Sequence, residues 1–197
     1  MIEASTKERI LDAAEAIMLT KSFHSVGLNE ILRAVNVPKG SFYHHFESKE
    51  QFGVELLKHY VADASAYKRR ILLSPEIEIN ERQRLLTFLE SSISNFLDND
   101  GKCPCLVVKL ASEVVDFSEP MRQVLADGHA EWAAITEALI QDGIANGSIH
   151  PDVNPKTTGR LFGSLWMGAM QHASIARNAE PLRDALDFIA NHLLPAP

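Results

Sequence analysis

The chain has 197 residues, 46% hydrophobic and 23% charged, with a formal net charge of -7, a composition that argues for a folded soluble chain and against disorder. No apolar run approaches the roughly 18 residues that span a bilayer, and Met1-Ile2-Glu3-Ala4-Ser5 lacks the basic and apolar regions of a signal peptide, so a cytoplasmic location is expected. Two cysteines, Cys103 and Cys105, are too few for a disulfide scaffold, and the cytoplasm would keep them reduced.

In chain order, Ser5 and Glu8 have the spacing of a capping box, opening a helix with Ile10, Leu11, Ala14, Ile17 and Met18 along one face. Leu28, Ile31, Leu32 and Val35 then follow the i, i+3, i+4, i+7 pattern of a short second helix, with Ser25 as a cap whose hydroxyl can also meet a phosphate. Asn36 suits the left-handed conformation that ends a helix, and Pro38 suits the first position of the next one. In that third helix Phe42 and Phe46 share a face that packs inward, while Lys39, Ser41, Tyr43 and His44 point elsewhere. Helix, turn and polar helix make the layout of a helix-turn-helix, whose last helix reads DNA.

Ser48 with Gln51 predicts another capping box, and Phe52, Leu56, Tyr60 and Tyr67 carry a fourth helix to about Arg70; its N-terminus, bearing Lys49, is an anion site. Leu73-Ser74-Pro75 breaks the pattern, and Asn80 with Gln83 restarts it for Leu85, Leu89, Ile93 and Phe96. After Asp98-Asn99-Asp100-Gly101 come a short apolar helix from about Pro104 to Val115 and a long one opened by Ser118-Glu119-Pro120, bearing Met121, Val124, Leu125, Trp132, Ile135 and Leu139. Asn146-Gly147-Ser148 stops it. Asn154-Pro155 opens a helix with Leu161, Leu165, Gly159, Gly163 and Gly168, and Leu182, Leu186, Ile189 and Leu193 mark the last. The class is all-α, with about nine helices and no strands.

Charge is uneven. Residues 1–50 hold six Lys or Arg against seven acids, a net of -1, which leaves -6 for the remainder. The first part is not basic, so phosphate contact must depend on a few well-placed cations and N–H groups and must weaken as salt rises.

Phe23, Ser25-Val26, Ile31 and the run from Val37 to Glu50 resemble the DNA-binding domain of the TetR family of one-component regulators over about the first 55 residues. The resemblance implies a helix-turn-helix domain at 1–47 and a C-terminal regulatory and dimerisation domain at 48–197. It also implies a DNA contact set of Ser25, Lys39, Gly40, Ser41, Tyr43, His44 and Lys49, with Ser25 and Lys49 on phosphates. In this family the last two helices build a homodimer as a four-helix bundle. Close approach of another helix would explain the glycines of the eighth helix, each costing about 1 kcal/mol there relative to alanine. Two copies would present their recognition helices to a palindromic operator about one helical turn apart.

With Pro104 in a first helical turn, Cys105 falls among unpaired backbone N–H groups and Lys109 lies one turn further on the same side. Both features favour thiolate, the form that reacts with oxidants and electrophiles. Cys103 is close enough to compete or assist, although a bridge between the two would be strained. This segment, with Ala111 to Asp116, Ser118 to Arg122 and Leu165-Trp166-Met167-Gly168-Ala169, resembles the N-ethylmaleimide reductase repressor branch of the family, which controls detoxification of electrophiles and oxidants and whose sensing thiol is matched by Cys105. The branch can place a lysine near the thiol, but Gln171 to Arg177 contains none, which argues against a cysteine-lysine link.

Two alternatives stand beside this reading. Cys105 can be a small buried hydrophobe, and the inducer can be a reversible ligand in a pocket lined by Phe96, Phe117, Trp132, Trp166, Met167 and Met170. Cys103, Cys105, His129, His150 and His172 fit no zinc spacing, so no metal or other cofactor is expected. The chain has no Gly-rich phosphate loop, Gly-x-Ser-x-Gly elbow or Cys-x-x-Cys, so it is not expected to be an enzyme, a thiol-based redox enzyme being the remote alternative. The expected function is a homodimeric repressor that releases its operator on modification of Cys105.

Overall fold

The structure is a computed structural model that describes residues 5–74, 76 and 78–197, so the readings of Met1 to Ala4 and of Pro75 lie outside the described residues. Among those residues there are nine α-helices and no strand: α1 Thr6–Met18, α2 Leu28–Ala34, α3 Lys39–His45, α4 Lys49–Leu72, α5 Glu81–Asp98, α6 Leu106–Val114, α7 Glu119–Ala145, α8 Pro155–Ala176 and α9 Glu180–Phe188, followed by a π-helical turn at Ile189–Leu193.

The helix ends have local causes. Ser5 accepts from the Glu8 N–H at 3.2 Å while the Glu8 carboxylate accepts from the Ser5 N–H at 2.7 Å, closing both halves of the capping box. Asn80 and Asn154 cap α5 and α8, each accepting a backbone N–H at 2.9 Å. Asn36 takes a left-handed φ of 53° after α2. Three expectations are corrected. Pro38 is the N-cap of α3 rather than its first residue. Gly27, not Ser25, caps α2 without a side-chain bond; the Ser25 hydroxyl donates instead to Ser22 O at 3.0 Å, because a short polar side chain satisfies its own turn first. At α4, Ser48 accepts from the Gln51 N–H at 3.0 Å, but the Gln51 amide oxygen is buried without a partner, so only half of that box forms.

The chain forms two compact units, Met1–Asp63 with Cys105–Ala126, and Ala64–Pro104 with Asp127–Pro197. The helix-turn-helix therefore shares a unit with α6 and with the starts of α4 and α7. Its core joins Ile10, Met18, Phe42, Phe46, Phe52 and Leu56 to Leu106, Leu110, Val114 and Met121, all buried. Gly53 lets α4 approach this core closely: a Cβ there would stand against the Met121 methyl and 2.7 Å from the Phe23 ring.

In the second unit, Phe162, Trp166, Ala169, Met170 and Ala173 form the buried face of α8. The glycines of α8 differ in what they face. A Cβ on Gly159 would stand 2.9 Å from Ala133 O, and one on Gly163 would stand 3.3 Å from the Trp132 ring, so both glycines admit α7 of the same chain; around Gly168 nothing lies within 4 Å. Glu81, buried at the start of α5, accepts from Asn146 and from Ser148 (3.2 Å) and pairs with Arg84 (3.3 Å), tying α5 to the end of α7.

Candidate nucleic-acid interface and the thiol of helix α6

Helix α3 is held by its two phenylalanines. Phe42 and Phe46 are each 1% exposed, with ring centroids 4.9 Å apart, and both pack on Phe52 of α4 at 5.3 and 5.1 Å. That anchoring turns the opposite side outward: Lys39, Gly40, Tyr43 and His44 are exposed and Ser41 is half-buried. The Lys39 ammonium lies 5.9 Å from the Tyr43 ring centroid, one turn along, and a Cβ on Gly40 would meet nothing within 4 Å. Five of the seven residues in the expected DNA contact set thus share one helix, and its outward face carries donors, a cation and an aromatic ring.

Ser25 is exposed in the connection between α1 and α2. Lys49 reaches that same connection, donating to His24 O at 3.2 Å and Val26 O at 3.0 Å, with its ammonium 5.3 Å from the Phe23 ring centroid.

Cys105 stands before α6 rather than in its first turn. It is the N-cap of α6, with φ -112° and ψ 115°, and its thiol makes no capping bond. The side chain is half-buried, and the sulfur hydrogen-bonds with the phenol of Tyr60 on α4, which also meets the Leu106 N–H. Burial, then the neighbouring Cys105, push the Tyr60 phenol well above its ordinary value, so it stays protonated through the neutral range. Tyr60 was legible only as a member of the packed α4 stripe, a place that phenylalanine fills equally well. Cys103 is half-buried, and neither cysteine forms a disulfide.

The Lys109 side chain reaches back to α1. Its ammonium donates to Leu19 O at 2.6 Å, where the C-terminal end of α1 presents an unpaired carbonyl and the negative pole of the helix dipole. One turn further along α6, Glu113 accepts from the backbone N–H groups of Phe23 (3.0 Å) and His24 (2.8 Å) and pairs with His24 Nδ1 at 2.7 Å. Partial burial opposes ionisation of Glu113, but these bonds outweigh it and hold the carboxyl below the usual range. Nothing in the sequence singles out Glu113, because its partners lie about 90 positions away.

The aromatic set expected to line a pocket is divided. Phe117 packs edge-on against His24 at 4.7 Å and lies 6.1 Å from Phe23, in the first unit. Phe96, Trp132, Trp166, Met167 and Met170 belong to the second, where all but the half-buried Met167 are buried. Trp132 packs on Phe88 (5.7 Å) and Phe162 (5.5 Å), with the Lys68 ammonium 4.2 Å from its ring. On the outer side of α8 and α9 runs an open groove of about 480 Å³ lined by Leu165, Gly168, His172, Pro181, Asp184 and Phe188 among others. Leu161, Ile175 and Phe188 are 52%, 77% and 49% exposed. Among the described residues, no group of three metal-ligating side chains comes together, and no helix is long and apolar enough to cross a membrane.

Comparison with known proteins agrees with this architecture. Residues 10–56 match the family described as bacterial regulatory proteins, tetR family, and residues 82–189 match the tetracyclin repressor-like C-terminal domain. The chain is 36% identical over 190 residues to the HTH-type transcriptional repressor NemR of Escherichia coli, covering 96% of this chain and 94% of that protein. The crystal structure of reduced E. coli NemR superposes with a TM-score of 0.90 over 98% of both chains, at 34% identity. The HTH-type transcriptional repressor DhaR of a Mycobacterium species is 29% identical, covering 100% of this chain and 96% of that one. With both parts of the chain matched and a polar helix turned outward from its helix-turn-helix, the protein belongs to the TetR family of DNA-binding transcriptional regulators.

Proposed function

We propose that this chain is a homodimeric repressor, acting in the cytoplasm, that holds a palindromic operator and releases it when an electrophile or oxidant modifies Cys105. Lys39, Gly40, Ser41, Tyr43 and His44 contact DNA from α3, and Ser25 and Lys49 sit at phosphates. Residues 1–47 are the DNA-binding domain and 48–197 the regulatory and dimerisation domain. The observation that carries the sensing half is the position of Cys105: half-buried, at the N-cap of α6, against the Tyr60 phenol, and in the same compact unit as α1 to α3.

The chemistry needs no second reactive side chain. In alkylation by N-ethylmaleimide the thiolate adds across the activated double bond, an S–C bond forms, and the neighbouring carbon takes a proton. In oxidation by hypochlorite the sulfur loses two electrons, chloride leaves, and hydrolysis gives sulfenic acid. Either product is larger or more polar than the thiol that α4 and α6 accommodate. Releasing an operator requires the modified state to disfavour the DNA-bound geometry by about 1–3 kcal/mol, an ordinary coupling energy. One modification per subunit acts as a switch, so turnover is not part of the function.

The dimer reading is supported by the groove on α8 and α9, where Gly168 is open and Leu161, Ile175 and Phe188 are exposed. The similarity to NemR, a transcriptional repressor, supports repression.

The test is operator binding followed by fluorescence anisotropy, with the operator selected from random DNA. Wild type and Cys105→Ser are each treated with N-ethylmaleimide, hypochlorite or a quinone. Release of wild type and retention by Cys105→Ser is the expected result. Equal release of both would move the switch to Cys103 or to a noncovalent ligand, and no release would leave Cys105 a structural thiol.

A further inference from the structure

The connection between α1 and α2, residues 19–27, contains no regular helix, and only some of its backbone groups bond locally, such as the Val26 N–H to Ser22 O at 3.1 Å. Three charged side chains meet others. Lys109 donates to Leu19 O (2.6 Å), Glu113 accepts from the Phe23 and His24 N–H groups (3.0 and 2.8 Å), and Lys49 donates to His24 O and Val26 O (3.2 and 3.0 Å). Lys109 and Glu113 come from α6, Lys49 from the start of α4. Hydrogen bonds from charged groups to backbone are among the stronger kind. The exposed Ser25 lies inside the segment they hold, and Gly27 opens α2 directly after it. On α6 itself, Lys109 and Glu113 are spaced by a single turn and share one side of the helix, and the N-cap Cys105 joins it by its carbonyl, which accepts from the Lys109 N–H at 3.1 Å.

We propose that Lys109 and Glu113 are positioning residues for operator binding, fixing the α1–α2 connection and through it Ser25 and the start of α2, and that they relay a change at Cys105 to the DNA-binding helices. The relay rests on the cysteine-sensing reading above; the positioning role does not. An adduct at the N-cap displaces the first turn of α6, and a displacement on the order of 1 Å carries bonds of this length beyond hydrogen-bond range. The α1–α2 connection then loses partners for Leu19 O and for two adjacent amides.

The experiment compares Glu113→Gln, Lys109→Met and His24→Ala with wild type in operator affinity, in dimer mass by gel filtration and in amide exchange at residues 23 and 24. Glu113→Gln and Lys109→Met should remain folded dimers and bind at least about tenfold more weakly. Exchange at the two amides should speed up in Glu113→Gln. His24→Ala keeps both amide contacts and should stay close to wild type. Wild-type affinity in Glu113→Gln and Lys109→Met overturns the positioning role. So does a loss in His24→Ala as large as that in Glu113→Gln, which would reduce the contact to one exposed ion pair.

N-ethylmaleimide then tests the relay. It should weaken Glu113→Gln by a smaller factor than wild type, since part of the clamp is already lost, and an equal factor overturns the relay. If alkylation leaves wild-type affinity unchanged, the cysteine-sensing reading and the relay fall together, and the positioning role is judged on the unmodified variants.

Discussion

The phenol of Tyr60 is hydrogen-bonded to the sulfur of Cys105, across two helices that are 33 residues or more apart along the chain. Burial and the sulfur itself keep that phenol protonated, so its O–H stands beside the thiol. A side chain held on the sulfur orients it for attack on an electrophile. Tyr60→Phe, studied with Cys103→Ser in both proteins, should therefore slow alkylation of Cys105 at neutral pH by about three- to tenfold. Mass spectrometry of the adduct over time measures the rate; an unchanged or faster rate would remove Tyr60 from the chemistry.

On the DNA side, Lys39 and Tyr43 stand on the exposed face of α3 while Phe42 and Phe46 hold its other face. Lys39→Ala and Tyr43→Ala should abolish specific operator binding and leave the dimer folded. A phosphate-contacting lysine also contributes about one unit to the slope of log affinity against log salt. If residual binding persists, the Lys39 variant should show that reduced slope and the Tyr43 variant should not. Wild-type affinity in both would remove α3 from the interface.

Glu81 gives the second unit a pH dependence of definite sign. Its burial opposes ionisation, but bonds from Asn146 and Ser148 and the nearby Arg84 outweigh that and lower its pKa below the ordinary 4.5. A carboxyl with a depressed folded-state pKa stabilises fully above its unfolded value, and the contribution is lost as pH falls through the folded value. Glu81→Gln should cost about 1–3 kcal/mol at pH 7. The difference from wild type should shrink as the pH is taken well below 4.5. Urea unfolding at several pH values reads this, and a difference that is constant with pH would contradict it.

The α8–α9 groove predicts a self-association surface. Leu161→Glu puts a charge on an apolar side chain that is 52% exposed, and Gly168→Trp fills the groove at a position where nothing stands within 4 Å. Neither change touches the buried face of α8, so both proteins should fold. Sedimentation should show dimers for wild type and a shift toward monomer for each variant; undisturbed dimers in both would place the interface elsewhere.

Much of the fold was readable because its causes are local. Ser5 with Glu8, Asn36, Asn80 and Asn154 declare helix ends within four residues, and the spacing of Phe42 and Phe46 declares which side of α3 is buried. The polar side of α3 follows from the same spacing. What stayed hidden is long-range. Lys109 lies 90 positions from Leu19 and Glu113 lies 89 from His24, and periodicity along α6 says nothing about which backbone groups its charges meet. Beside Lys109 the sequence shows only its helical neighbour Cys105, and the bond to Leu19 O is invisible there. Gly159 and Gly163 correctly demanded close helix approach, but a glycine does not say whether the approaching helix belongs to its own chain.

The first compact unit is discontinuous in sequence, returning at Cys105–Ala126 after leaving at Asp63. A regulator of this kind is often imagined as a portable reading head that can be cut off and fused to another sensor. Here a cut after residue 47 would strip the head of Leu106, Leu110, Val114 and Met121 from its core and leave the amides of Phe23 and His24 without their carboxylate. A chimera meant to borrow this DNA specificity must therefore carry α6 and the opening turns of α7 with it, so the heritable module is larger than the motif that touches DNA.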